Sequence, residues 1–416
     1  YYRLRPTIAI PQPKNGGTLR IGSAADITNL DATTGGSVFQ IYDRLIAYND
    51  KLQPQPAMAE SWDVSSDAKQ VTFKLRPGLT FHNGKEVTSA DWAYSLDRFA
   101  NHSYNQHNSV QAKWFTAEAP DKNTVVFKSD VSRPTMFDFF EYFNVMDKVT
   151  VEAPDAKSKA NGTGPFQLVE WLPGDHLFLK KHPNYRNKGL PHVDAIEVHV
   201  AKDFQGMVAT FEAGATDVMA TPPLPDFARL KGDPKYHVFL NNDTGNVNTI
   251  GLSVNKPPFD NLDVRAAFNY AIDRQRYVNT VSQGTAVTGA LPWPANSPAF
   301  DAAKNNEFTF DLDKAKSLLQ KANVSNLECD CILQSSNPEE SQFSQIYQSD
   351  LGKIGVKMNI KGYDGATWLD IVNNVKFFGL WLGGIAYAQL EPSTTFADSR
   401  GMNPTLNSSG YRNDQY

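Results

Sequence analysis

The sequence predicts an α/β protein built from two α/β units, and three observations carry that expectation. Strand–helix–strand order appears at 196–220: Ile196, Val198 and Val200 alternate, 204–213 keeps helical spacing up to Gly214, and 216–220 returns as a strand. The same alternation recurs further on, with helix 312–322, strand 327–333, helix 342–354, strand 356–360 and helix 367–375. A polar stretch at 241–248 separates the two, so the second unit begins near residue 246.

The remaining elements follow in order. Three prolines, Pro6, Pro11 and Pro13, make the opening an extended tether. TLRIGS at 18–23 alternates as a half-buried strand, and a loop rich in Asp, Thr and Gly follows it. Ile41 to Ile46 reads as the start of a helix. Val71, Phe73 and Leu75 share one strand face, with turns at 76–78 and at Asn83-Gly84. Thr88 opens a helix with Asp91 as its capping partner, and Trp92, Leu96 and Phe99 form its buried stripe. A strand at 123–128 and a short aromatic helix at 135–143 come next. Gly162-Thr163-Gly164-Pro165 then launches a hairpin, FQLVEW and HLFLKK, around Pro173-Gly174-Asp175. Past the crossover, IGLSVN is a strand leading to one long helix through Val264, Phe268, Ile272 and Val278.

Composition narrows the function. The chain has 416 residues, long for a single core, and its 41% apolar and 20% charged residues describe an ordered protein. No apolar run approaches the ~20 residues of a membrane helix. The longest, FFGLWLGGIAYA at 377–388, is interrupted by glycines and reads as a buried strand. A net charge of -5 gives no footprint for nucleic acid.

Chemistry-bearing motifs are few. Cys329 and Cys331 sit two apart in a strand, alpha carbons ~6.6 Å from one another on one face. That geometry keeps them as free thiols rather than a disulfide or a cysteine-based zinc cluster. The eight histidines are scattered and read as solvated loop residues, with no metal site and no cofactor expected. GTGP at 162–165 opens into a hairpin, so no helix N-terminus is there to hold phosphate. Trp62, Trp92 and Trp171 read as core. Trp114 and Trp293 lie in loop-like stretches, where the readings are packing between domains or stacking on a ligand. Tyr387, Gln389 and Glu391 follow the apolar run, where a buried strand of an α/β domain presents polar contacts.

Several stretches together resemble the extracellular solute-binding proteins of ABC importers of the oligopeptide, dipeptide and nickel class, family 5. They are GGTLRIG at 16, PAMAESWDVSSDAKQVTFKLRPGLTFHNGKEVTSADWAYSLDRF at 56, GTGPFQLVEWLPGDHLFLKKHPNYR at 162, FEAGATDV at 211, and NKPPFDNLDVRAAFNYAIDRQRYV at 255. They occur in the family's order up to about residue 280. The resemblance implies a two-lobed periplasmic-binding-protein-like fold of class II type with an extra α/β domain inserted. The first lobe is then 15–40 with 161–245, the insertion 41–160 and the second lobe 246–416. Family members continue beyond SGY (here 409–411) and return to the first lobe, and that return is expected to be missing here.

The resemblance also implies a function: a non-enzymatic, monomeric binding protein, periplasmic or anchored outside the membrane, that hands a small solute to an ABC permease. Peptide-binding members carry an Asp, before a Pro-containing turn, that pairs with the peptide's amino terminus. Aligning on Glu391-Pro392 places Ala388 there, and Ile385 replaces an upstream aromatic. A buried ammonium without a carboxylate partner costs several kcal/mol. That counts against a free amino terminus held at this point and raises an oligosaccharide or opine-like compound as the competing class. The resemblance still implies an oligopeptide as the first expectation. The expected contacts are Trp114, Trp293, Tyr387, Gln389 and Glu391, with Thr34 and Phe39 from the first lobe. A glycoside- or peptide-acting enzyme and a surface receptor or adhesin stand as alternatives.

Overall fold

The computed structural model describes residues 13–24, 26–27, 29–34, 40–49, 51–102, 106–240, 246–295, 297–385, 392–398, 400–403 and 407–412, except the side chains of 34, 106–108, 393, 397 and 398. The chain divides into two compact units, 1–227 and 228–416.

Unit 1 carries two main sheets. The first strand, β1 (Thr18–Ser23), is followed by a small hairpin, β2 (Ile46–Tyr48) and β3 (Pro54–Pro56). Next come β4 (Ala59–Val64), β5 (Gln70–Leu75), α1 (Ser89–His102), α2 (Gln106–Ala112), β6 (Thr116–Asp121) and β7 (Thr124–Lys128). These strands form an antiparallel sheet in the order β4-β5-β7-β6. After α3 (Met136–Tyr142) and α4 (Lys148–Val151), the chain returns as the hairpin β8 (Phe166–Leu172) and β9 (His176–Lys181). Then follow β10 (Ala195–Val200), α5 (Phe204–Glu212), β11 (Val218–Met219) and α6 (Leu224–Lys231). The second sheet has the order β11-β1-β10-β9-β8, with β1 parallel to both β10 and β11.

One buried cluster runs beneath both sheets of unit 1, from Trp92, Phe73 and Phe140 to Phe166, Leu179 and Ile196. Aromatic rings dominate it: Phe140 lies 4.8 Å from Phe127 and 4.9 Å from Phe73, centroid to centroid. Each such ring removes 150–250 Å² from water, worth roughly 25 cal/mol per Å². The cap of α1 forms as the spacing predicts, with Thr88 N and Oγ1 donating to Asp91 Oδ2 at 2.8 and 2.9 Å.

Unit 2 holds β12 (Val247–Leu252), α7 (Leu262–Tyr270), α8 (Arg274–Arg276), α9 (Ala302–Asn305) and α10 (Leu312–Lys321). These are followed by β13 (Glu328–Gln334), α11 (Pro338–Lys353), β14 (Lys357–Tyr363), α12 (Gly365–Asn373), β15 (Gly379–Ile385) and α13 (Pro392–Asp398). Its sheet order is β12-β15-β13-β14, with β13 parallel to β14 and β15, and β12 antiparallel to β15. Cys329 and Cys331 are buried free thiols on β13, and burial pushes the Cys329 thiol up to about 12.

Three sequence expectations are corrected. Residues 41–46 do not start a helix. The carbonyls of Gln40 and Ile41 accept from Phe166 N (3.0 Å) and Gly164 N (2.8 Å), so they are unavailable to a helical ladder. The apolar pattern there reflects burial on all sides rather than one stripe. The long helix at 264–278 is broken, because the Asp273 side chain accepts from Arg276 N at 2.9 Å and caps a new turn. That turn continues as a π-helical segment, Tyr277–Val281. Finally, the histidines are not all solvated: the His82 and His182 rings lie in contact, centroids 4.9 Å apart, with His182 3% exposed.

Candidate functional site

Both units repeat one strand order about a central parallel strand. In unit 1 β10 lies on one side of β1, and α5 then carries the chain to β11 on the other. In unit 2 β14 lies on one side of β13, and α12 carries the chain to β15 on the other. Where successive connections leave a central strand in opposite directions, a crevice opens at the carboxyl ends of the strands, and ligands bind there in open α/β sheets. The topology thus marks one rim in each unit.

In unit 2 the rim is built by helix caps that follow the strand ends. After β13, the Asn337 side chain accepts from Glu339 N (3.1 Å) and Glu340 N (3.3 Å), with Pro338 in the first turn of α11. Glu340 turns back to the strand: its carboxylate accepts from Gln334 N and Asn337 Nδ2, both at 3.0 Å. Glu339 points elsewhere. Its Oε2 accepts from the Tyr277 hydroxyl at 3.0 Å, and that hydroxyl accepts from Asn248 Nδ2 at 2.6 Å. Asn248 lies on β12 opposite Gly384, the penultimate residue of β15. A hydrogen-bonded bridge therefore runs from the start of β12, through the π-helical turn, to the first turn of α11. The Tyr277 ring rests edge-on against Phe343, centroids 5.5 Å apart. Burial, and then the charge of Glu339, push the phenol well above its ordinary value, so it stays protonated as a donor. Oε1 of Glu339 has no hydrogen-bond partner among the described residues.

Asn248, Tyr277, Gln334 and Glu339 were not among the residues singled out from sequence. Two signals in the sequence could have found the place: the Asn337-Pro338-Glu339 cap that follows a strand, and Asp273 within a helical pattern.

β15 ends at this rim with Ile385, and residues 386–391 follow it in sequence. Tyr387, Gln389 and Glu391 fall in this stretch and lie outside the described residues, as does Phe39. The frame on either side is described. Trp293 packs on Phe396 of α13, the helix that follows this stretch, centroids 5.7 Å apart. Ile385 is buried. On β15, Trp381 Nε1 donates to Ser409 Oγ at 3.2 Å and its ring meets Trp368 edge-on at 6.1 Å. Gly251 and Gly383 lack the Cβ that would collide with these indoles, which is why glycine stands at both positions.

In unit 1 the rim follows β1. Asp26 accepts from Gly174 N at 2.6 Å and from Trp171 Nε1 at 3.5 Å, which ties the loop to the β8–β9 turn. The buried Asp31 accepts from Thr33 N and Oγ1 at 2.9 and 2.7 Å and pairs with Arg98 of α1 at 2.5 Å. Thr34 closes this short turn, Ala32–Thr34. Trp114 packs against the unit 1 core, and the Arg133 guanidinium covers one ring face at 4.2 Å. Of the expected contacts, Trp293 packs on Phe396 of α13 in unit 2, and Trp114 packs against the core of unit 1.

Two mixed α/β units that repeat one strand order about a central parallel strand are the architecture of the periplasmic-binding-protein class. The model of bacterial extracellular solute-binding proteins, family 5 Middle, matches residues 53–404, and the chain belongs to that family. Heme-binding protein A of Haemophilus influenzae is 30% identical over 363 residues, 79% of this chain and 66% of that protein. The dipeptide-binding protein of Escherichia coli is 26% identical over 378 residues, 81% of this chain and 69% of its own length. The structure of the PBP AgaA from A. tumefaciens R10 in complex with agropinic acid superposes with a TM-score of 0.78 at 27% identity, covering 96% of this chain and 84% of that one. The chain thus spans about two thirds of the length of these two sequence relatives.

Proposed function

We propose that this chain is the substrate-binding component of an ABC importer, which captures a small solute and delivers it chemically unchanged to a membrane permease outside the cytoplasm. The observation that carries the reading is the rim at the carboxyl ends of β13 and β15, bridged by Asn248, Tyr277 and Glu339, in a family of solute-binding proteins. The three-domain division (15–40 with 161–245, 41–160, and 246–416) belongs to the same reading. It is supported by the separate sheets of 59–128 and of β1 with β8–β11.

The ligand class we favour is an oligopeptide or another compound with a free amino group. Ala388 removes the carboxylate expected after β15, and Glu339 supplies another at the same rim from α11. A carboxylate with one oxygen fixed by Tyr277 and the other open suits an ammonium, since a charge-assisted bond is about twice as strong as a neutral one. The opine-like class is kept as the second reading, because the 27%-identical AgaA is in complex with agropinic acid. Trp293 with Tyr387, Gln389 and Glu391 complete the unit 2 contacts in this reading. Thr34 and Phe39 act from unit 1, and Trp114 offers only the ring face that Arg133 leaves.

Titration calorimetry with a panel of di- to tetrapeptides, their N-acetylated forms, oligosaccharides and opines tests this. Saturable binding of free-amino peptides that acetylation weakens at least about tenfold, some 1.4 kcal/mol, is expected. Equal binding of acetylated and free forms removes the role of Glu339, and preference for opines selects the second reading.

A further inference from the structure

Within unit 1, away from both strand-end rims, a cavity of about 280 Å³ lies where the turn after β5 meets the loop after β9. Its walls include Arg76, Thr163, His182, Asn184 and Arg186, with Glu60 as the acidic member. The volume is that of several waters, at ~30 Å³ each.

The donors here are unequally committed. Arg186 is engaged: its Nε and Nη2 hold Asp43 at 2.6 and 3.2 Å. Arg76 is anchored by Nε alone, which donates to Ala57 O at 2.7 Å, and its Nη1 and Nη2 have no partner among the described residues. His182 is 3% exposed, and its Nδ1 faces Gln167 Nε2 at 2.8 Å. That amide nitrogen also donates to His82 O, so it is the donor in this contact and Nδ1 the acceptor. The ring proton of a neutral His182 is therefore on Nε2, which has no partner among the described residues. An imidazole N–H and a fork of guanidinium donors left open on one cavity are the complement of an oxyanion.

We infer that this cavity is a binding site for a small oxyanion, such as phosphate, sulfate or a short carboxylate, held by Arg76 and His182 and bridging the two sheets of unit 1. Asn184 supplies a neutral donor, while Thr163 lines the wall with its hydroxyl donating to Met58 Sδ at 3.4 Å. Glu60 opposes the anion, which limits the site to ions of low charge. The site is independent of the solute-binding reading, because it lies wholly within unit 1 and uses none of the residues assigned to the solute.

The test is thermal unfolding of the full chain at pH 7 in sodium phosphate, sodium sulfate and sodium acetate, each against sodium chloride at equal ionic strength. One of the three oxyanions is expected to raise Tm by roughly 2–5 °C at about ten times its dissociation constant. Arg76→Gln is expected to abolish that rise, and Glu60→Gln to lower the dissociation constant about threefold. Trp293→Ala leaves the rise intact. Shifts no larger than chloride gives overturn the proposal. So does an equal oxyanion shift in Arg76→Gln. If Arg76→Gln does not fold, an unchanged dissociation constant in Glu60→Gln overturns it.

Discussion

His82 and His182 illustrate how much a single residue's environment decides. Gly162 N donates to His82 Nδ1 at 3.3 Å, and His82 Nε2 donates to Gly164 O at 3.1 Å, so the ring is held neutral in one tautomer. Burial pushes its pKa down from the ordinary 6.5 to about 4, and burial lowers His182 as well. The unfolded chain binds the proton more readily than the folded one. Stability is therefore full above pH 6.5 and falls as pH drops from there toward 4, with His82 responsible for about 3 kcal/mol of loss. Denaturant melts at pH 7 and pH 4 check this, and His82→Gln is expected to flatten the difference. A second prediction belongs to the rim. Tyr277→Phe removes the bridge to Asn248 and Glu339 and leaves the ring on Phe343, so solute affinity falls about 10-fold while Tm stays within a few degrees. Calorimetry beside a thermal melt separates the two effects. Trp293→Ala is expected to weaken solute binding by ~1–3 kcal/mol, and unchanged affinity removes its role as an anchor.

Elements show which parts of the sequence were readable. Strands with clean alternation, such as β1 and β5, and helices with an apolar stripe and an Asx or Thr cap, such as α1 and α10, stand where the pattern put them. Local signals failed where distant backbone overrides them. Residues 41–46 look helical, but the backbone at 40–41 forms a crossing against 164–166, and no local pattern encodes that contact. The GTGP motif has the same explanation. A Cβ on Gly162 or Gly164 would collide with the carbonyls of Ile41 and Gln40, so these glycines permit a close chain crossing rather than a phosphate cradle. Gly162→Ala is accordingly expected to cost about 2–3 kcal/mol in chemical denaturation. Phe140→Ala, which removes a ring touching Phe73 and Phe127, is expected to cost about 3–5 kcal/mol.

On the scale of the whole molecule, the legible part was the class: two α/β units and the ordered family segments. The rim residues themselves were not legible. Asn248, Tyr277 and Glu339 are brought together by strand order and by a helix broken at Asp273, and neither is written in hydrophobic periodicity. The repeated order about β1 and β13 gives each unit a switch point at its strand ends, the place where open α/β sheets take ligands. Family membership narrows the activity to solute binding. It leaves the ligand open, because the relatives take molecules as unlike as heme, a dipeptide and agropinic acid.

The central claim is reversible capture without chemistry. Native mass spectrometry of the protein, incubated with the best ligand from the calorimetric panel and then denatured, tests it most directly. The account predicts a one-to-one complex whose ligand is recovered at its original mass after prolonged incubation. Product masses that accumulate with time, or no saturable complex with any peptide, sugar or opine, would contradict it.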